Sequence, residues 1–171
     1  MKKYLFIFSG LLLLLAVNSV TADQSQIKGD VGKPNVVQVA VGSKDHSTLV
    51  TAVKAAELVD VLSNPGPFTV FAPTNEAFAK LPAGTVEGLL KPESKESLQN
   101  ILQYHVSVGV FTLNMLYDGQ DLGQANGDNV KIGVKNGKVT VNGANVIGTV
   151  PASNGIVHVI DAVLLPPAAA N

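Results

Sequence analysis

The 171-residue chain carries 13 acidic residues, 12 basic ones that are all lysine, and no cysteine or tryptophan. Without cysteine there are no thiolate metal sites, redox motifs, cysteine nucleophiles or disulfides. Without arginine or a basic cluster the chain lacks the usual means of gripping nucleic acid or an anionic membrane, and without tryptophan it lacks the best stacking platform for sugars.

The N-terminus reads as an export signal. Lys2 and Lys3 form a positive start, Tyr4 to Val17 an apolar run, and Val20-Thr-Ala22 a small-residue cleavage site. The run is about 14 residues, short of the about 20 that a membrane span needs. Residues 1–22 are therefore expected to be a cleaved signal peptide, giving a secreted or periplasmic product without stable membrane insertion. With no cysteine there is no lipid-anchor site. Ten lysines against thirteen acids remain, a net charge of −3. The remaining 149 residues suit one domain, which buries roughly two-thirds of its surface without needing disulfides.

Residues 23–34 are polar and glycine-containing and read as a flexible lead-in; residues 35–167 form the domain. Asn35 is placed to cap a short helix from Val36 to Val41. Ser47 is placed to cap a second, with Leu49, Val53, Ala56 and Leu58 at helical spacing. A turn from Val59 to Leu62 precedes the breaker Asn64-Pro-Gly-Pro67. Phe68-Thr-Val-Phe71 alternates as a strand, with Phe68 and Val70 on one face and Thr69 and Phe71 on the other. Pro73 has no N–H to continue the ladder. Thr74 then serves as an N-cap, with Pro73 and Phe78 at the spacing of a hydrophobic staple. Short helices are expected from Thr85 to Leu90 and from Ser94 to Gln103, followed by a strand from Tyr104 to Val108 and one or two helical turns from Phe111 to Leu116.

Beyond Gly119 the pattern turns to β. Val130, Ile132 and Val134 alternate, Asn136-Gly137 is a strong hairpin signal, and Val139 and Val141 alternate on the return. Asn142-Gly143 and Asn154-Gly155 mark further turns, before a long apolar strand from Ile156 to Leu165. Residues 168–171 read as a frayed tail. Helices first and strands later predict an α+β fold, with a layer of short helices on an antiparallel sheet or wedge.

Three motifs in register resemble the fasciclin-type domains: Thr69-Val-Phe-Ala-Pro-Thr-Asn-Glu-Ala-Phe78, the pair Tyr104-His105, and Asn154-Gly-Ile-Val-His-Val-Ile-Asp-Ala-Val-Leu-Leu-Pro166. The resemblance extends from about Asn35 to Pro166. It implies one domain with an antiparallel β-sandwich or wedge, no general catalytic activity, and a part in cell adhesion, matrix contact or biofilm attachment. Tyr104 and His105 are the residues it implicates in partner contact. His46 departs from the family's usual phenylalanine, and the short Asp-Ile cell-binding motifs are not evident. Some relatives bind carotenoids, so the alternative function is an extracytoplasmic carrier of an apolar small molecule such as a carotenoid or lipid. The valine- and leucine-rich helices between 36 and 62 would form its groove.

The residues themselves argue against an enzyme. Three histidines are present, without a metal-ligand spacing, and no serine sits in a nucleophile elbow. No cofactor motif occurs. His105, among apolar residues, is expected to be a core histidine hydrogen-bonded to Asn75. His158 and Asp161 differ by an odd number of positions on one strand, so their side chains point apart. Thr74, Asn75, Phe78, His105, His158 and Asp161 are accordingly assigned structural roles. The expected partner is a protein, a cell surface or matrix, with an apolar small ligand as the alternative.

Overall fold

The computed structural model describes residues 32–167. The signal peptide, most of the lead-in and the tail expected from the sequence lie outside the described residues. The chain forms helices α1 (Val36–Val41), α2 (Ser47–Ala55) and α3 (Val59–Ser63), then strand β1 (Phe68–Pro73). Helices α4 (Asn75–Ala79), α5 (Thr85–Leu89) and α6 (Lys95–Gln103) follow. Strands β2 (Val106–Val108), β3 (Asp121–Gly123), β4 (Asn129–Lys135), β5 (Lys138–Val141), β6 (Ala144–Ala152) and β7 (Gly155–Ile160) complete it. The architecture is α+β: short helices packed on a seven-stranded sheet of order β2-β1-β7-β6-β5-β4-β3. Every pairing is antiparallel except β1–β7, which is parallel. Those two strands lie far apart in sequence, so nothing local to either one signals their relative direction.

Alternation along β1 separates two apolar clusters. Val70 and Ala72 join Val106 and Val157 beneath the helices, against Leu49, Val53 and Leu102. Phe71 joins Ile132, Val141, Ile160 and Tyr104 in the second cluster, built largely from the strands. A strand buried on both faces reads as a near-continuous apolar run, and β1 does, broken only by Thr69.

Local signals explain most boundaries. Asn35 closes a capping box with Gln38 and starts α1. Thr74 accepts the Ala77 N–H and starts α4. Asn136-Gly137 and Asn142-Gly143 all take positive φ, the geometry that tight hairpins require.

The turn expected at Asn154-Gly155 is present: Ser153 and Asn154 join β6 to β7, and Gly155 already lies in β7 opposite Phe68. Two expectations need correction. Ser47 does not cap α2; it is the first residue of that helix, and its side chain bonds Asn75 instead. The last strand stops at Ile160, where Asp161 turns the chain by accepting Asn145 N–H and Nδ2–H, each at 2.8 Å.

Candidate interaction site

Beyond β2 the chain crosses the sheet as an irregular segment that leaves a run of apolar side chains in solvent. Val108 is 68 % exposed, Met115 55 % and Tyr117 64 %, with Val110 and Leu113 also exposed. Single exposed apolar residues are ordinary; a run within ten positions marks a contact surface.

The sheet below holds this segment in place with buried polar side chains. Thr69 on β1 donates its hydroxyl to the Gly109 carbonyl at 2.7 Å and accepts the Phe111 N–H at 2.9 Å. His158 on β7 hydrogen-bonds the Phe111 carbonyl through Nε2 at 2.7 Å. A carbonyl only accepts, so the proton is on Nε2, and Nδ1 accepts from Thr149 on β6 at 2.9 Å. The imidazole stacks on Phe71 with ring centroids 5.8 Å apart. Burial pushes the His158 pKa down, against the opposing effect of its bond to the Phe111 carbonyl. The apolar segment is thereby presented on a fixed backbone. Gly109 has φ +136, and a Cβ there would meet the Phe111 ring at 2.7 Å, so this crossing needs glycine.

Neither Tyr104 nor His105 is on this surface: Tyr104 packs in the strand cluster with Phe111 and Leu116, and His105 lines the apolar cavity beneath α1 and α2. Each is 2 % exposed. His105 donates Nδ1–H to the Ile101 carbonyl at 2.8 Å and accepts the Leu164 N–H on Nε2 at 3.0 Å. It thus fastens the end of α6 to the segment after β7. Desolvation lowers its pKa to about 4, opposed by the Ile101 bond. Tyr104 donates its hydroxyl to the Asn129 carbonyl at 3.1 Å and accepts from Asn142 at 2.7 Å. The contact role expected of these two side chains is corrected by their burial: a partner can reach only the residues around them.

Asn75 is not the partner of His105. Its Oδ1 accepts the Thr48 N–H at 3.0 Å, and its Nδ2 donates to the Lys44 carbonyl at 3.0 Å, so α4 caps α2 from outside. A cap supplied from another helix is invisible to local sequence rules. Asn75→Ala is expected to cost about 1–2 kcal/mol by freeing the α2 terminus, read as a lower urea midpoint with an unchanged slope. Phe78 is half-buried and packs on the helical cluster. Asp161 and His158 do not pair: Asp161 binds Asn145, and that bond, foremost, lowers its pKa. His46 is buried, with Nδ1 on Ser43 Oγ at 2.8 Å.

The cavities are modest where the carrier groove was expected. Beneath α1 and α2 lies an apolar cavity of about 100 Å³, lined by Val37, Leu49, Val53 and Leu102. A more open groove of about 520 Å³ runs between α1 and the strands, lined by Val39, Ala40, Ile147 and Val150. No described helix is long and apolar enough to cross a membrane, and no three described His, Asp or Glu residues gather as metal ligands.

The motifs, the strand order and the buried pair together define a fasciclin-type domain. The chain belongs to the fasciclin domain family, whose model matches residues 44–166. It is similar to Protein sll1483 of Synechocystis sp., 57 % identical over 133 residues covering 77 % of this chain and 73 % of that one. It is also similar to the cell surface glycolipoprotein MPB83 of Mycobacterium bovis, 41 % identical over 127 residues covering 71 % of this chain and 56 % of that one. Among solved structures, a FAS1 domain pair from the insect cell adhesion molecule fasciclin I matches the fold with a TM-score of 0.69. The identity there is 22 %, over 78 % of this chain and 51 % of the other. None of these names is an enzyme's.

Proposed function

We propose that this chain is an exported adhesion domain that works by surface contact with a protein, cell surface or matrix partner, biofilm attachment included. The carrying observation is the run of exposed apolar side chains from Val108 to Tyr117, set on a backbone bonded to Thr69 and His158. A segment fixed before contact loses little conformational entropy on binding, so a small apolar surface contributes more affinity. The cell-surface relative MPB83 and the cell adhesion molecule fasciclin I support the same reading.

The test uses beads coated with the protein and cells of the producing organism. A triple variant, Val108→Ser, Met115→Ser and Tyr117→Ser, is expected to lower bead attachment by about tenfold. The melting temperature should barely change, since exposed substitutions usually shift stability by about 0.5 kcal/mol or less. Undiminished attachment by that variant would sink the reading. The carrier alternative rests on the groove of about 520 Å³ between α1 and the strands, a volume within the range of small-molecule sites.

A further inference from the structure

We propose that the outer face of the β4–β5 hairpin binds an acidic, hydroxyl-rich polysaccharide of the polyuronate class. This face lies toward the opposite end of the strand order from β2 and shares no residue with the apolar segment.

Strand alternation builds it. Ile132, Val139 and Val141 turn inward and are buried. Lys135 stands directly opposite Lys138 in the ladder, and Gly133 opposite Thr140. A depression of about 940 Å³ lies over this face. Gly133 shapes its floor, because a Cβ there would stand 2.5 Å from Thr140 Oγ1.

The charges are arranged against the fold's own interest. Like charges directly opposite in an antiparallel pair are destabilising. Lys135 and Lys138 are such a pair, both exposed, and neither forms an ion pair among the described residues. Lys131, farther along β4, is neutralised by Asp121 at 3.0 Å, so the unpaired charge collects beside the Asn136-Gly137 turn. The acid that lines the depression, Asp118, has its Oδ1 bonded to the Val134 N–H at 2.9 Å. No charged residue occurs from Val139 to Ile160, so β5, β6 and β7 bring no acid to the pair.

The remaining chemistry selects the class of anion. Thr140, Asn136 and Asn145 line the depression with hydroxyl and amide groups, and no aromatic side chain or arginine lies among them. Single-stranded nucleic acid would need stacking surfaces, and an acidic peptide would need an apolar anchor pocket. A polyuronate needs neither. Its carboxylates pair with the two ammonium groups and its ring hydroxyls with the neutral polar side chains.

The experiment titrates the full chain with polygalacturonate as the probe, at about 20 mM and about 200 mM salt. Binding is expected at low salt and is expected to weaken with salt. K135Q/K138Q should lower the affinity about tenfold or more while leaving the melting temperature equal or higher, because the repulsion is relieved. Lys54→Gln on α2 should leave binding unchanged. No binding at low salt, equal binding of neutral dextran, equal loss in Lys54→Gln, or full binding by the double variant would each overturn the proposal. Tighter binding to single-stranded DNA than to polygalacturonate would overturn the class of ligand.

Discussion

Gly155→Ala is expected to lose about 4 kcal/mol or more, a large share of the roughly 5–15 kcal/mol that is the usual total stability of a domain. The cause is space. A Cβ on Gly155 would lie 2.0 Å from the Phe68 carbonyl oxygen and 2.8 Å from its carbon. Both are backbone atoms of β1, which cannot swing aside as a flexible side chain would. Phe68 and Gly155 open the parallel pairing of β1 with β7, so relief of the clash must part the two central strands at their first rung. The adjoining turn would lose its hold as well. Asn154 accepts the Val36 N–H on its side-chain oxygen and donates to the Leu62 and Asn64 carbonyls, joining α1, the end of α3 and the sheet. Gly123→Ala is the control, since its nearest new neighbour would be Asn129 Oδ1 at 3.6 Å. Circular dichroism melts should show a large fall for the first variant and little change for the second. Equal melts would mean that the β1–β7 contact is looser than drawn.

The second large effect is acid destabilisation centred on His105. The ring is buried and neutral in the folded protein, with its pKa lowered to about 4 from the ordinary 6.5. Between those two values the unfolded chain takes up a proton and the folded chain does not. Stability is therefore complete above pH 6.5, falls as the pH drops toward 4, and has lost about 3 kcal/mol from this group by then. His46 and His158 are shifted downward as well, chiefly by burial, and add in the same direction. Protonation on Nε2 would also remove the acceptor of the Leu164 N–H. His105→Ala is expected to cost about 3 kcal/mol at pH 7.5, because it leaves the Ile101 carbonyl and the Leu164 N–H unpaired and opens a void. The same variant should show a shallower loss of stability between pH 6.5 and 4. A variant that keeps the full acid slope would assign that slope to other groups.

The candidate site was legible only in part. Gly109 and the apolar letters at 108, 110, 113, 115 and 117 were in plain view, yet their step of two breaks between 110 and 113, and neither piece is long enough to read as a strand. Read locally, Phe111 to Leu116 suggests a helical turn, and a single turn does form, from Leu113 to Met115. The bonds that hold the segment come from Thr69, some 40 residues earlier, and His158, some 47 later. The lysine pair was hidden in another way. Lys135 and Lys138 are three apart in sequence, and only the tight turn at Asn136-Gly137 sets them face to face.

By itself the sequence determined what short-range sterics and capping decide. Asn35 and Thr74 start helices, Asn136-Gly137 and Asn142-Gly143 turn hairpins, and alternation sorts the residues of β1 between two faces. The motifs in register were enough to indicate the family. Tertiary structure decided what depends on partners remote along the chain. It made β1–β7 parallel, gave the α2 cap to Asn75 and the His105 bonds to Ile101 and Leu164, and buried the Tyr104-His105 pair while exposing its neighbours. The physical reason is common to all of these. A buried polar group takes whichever donor or acceptor the packed core brings within reach, and packing is set by the burial of many distant apolar residues at once.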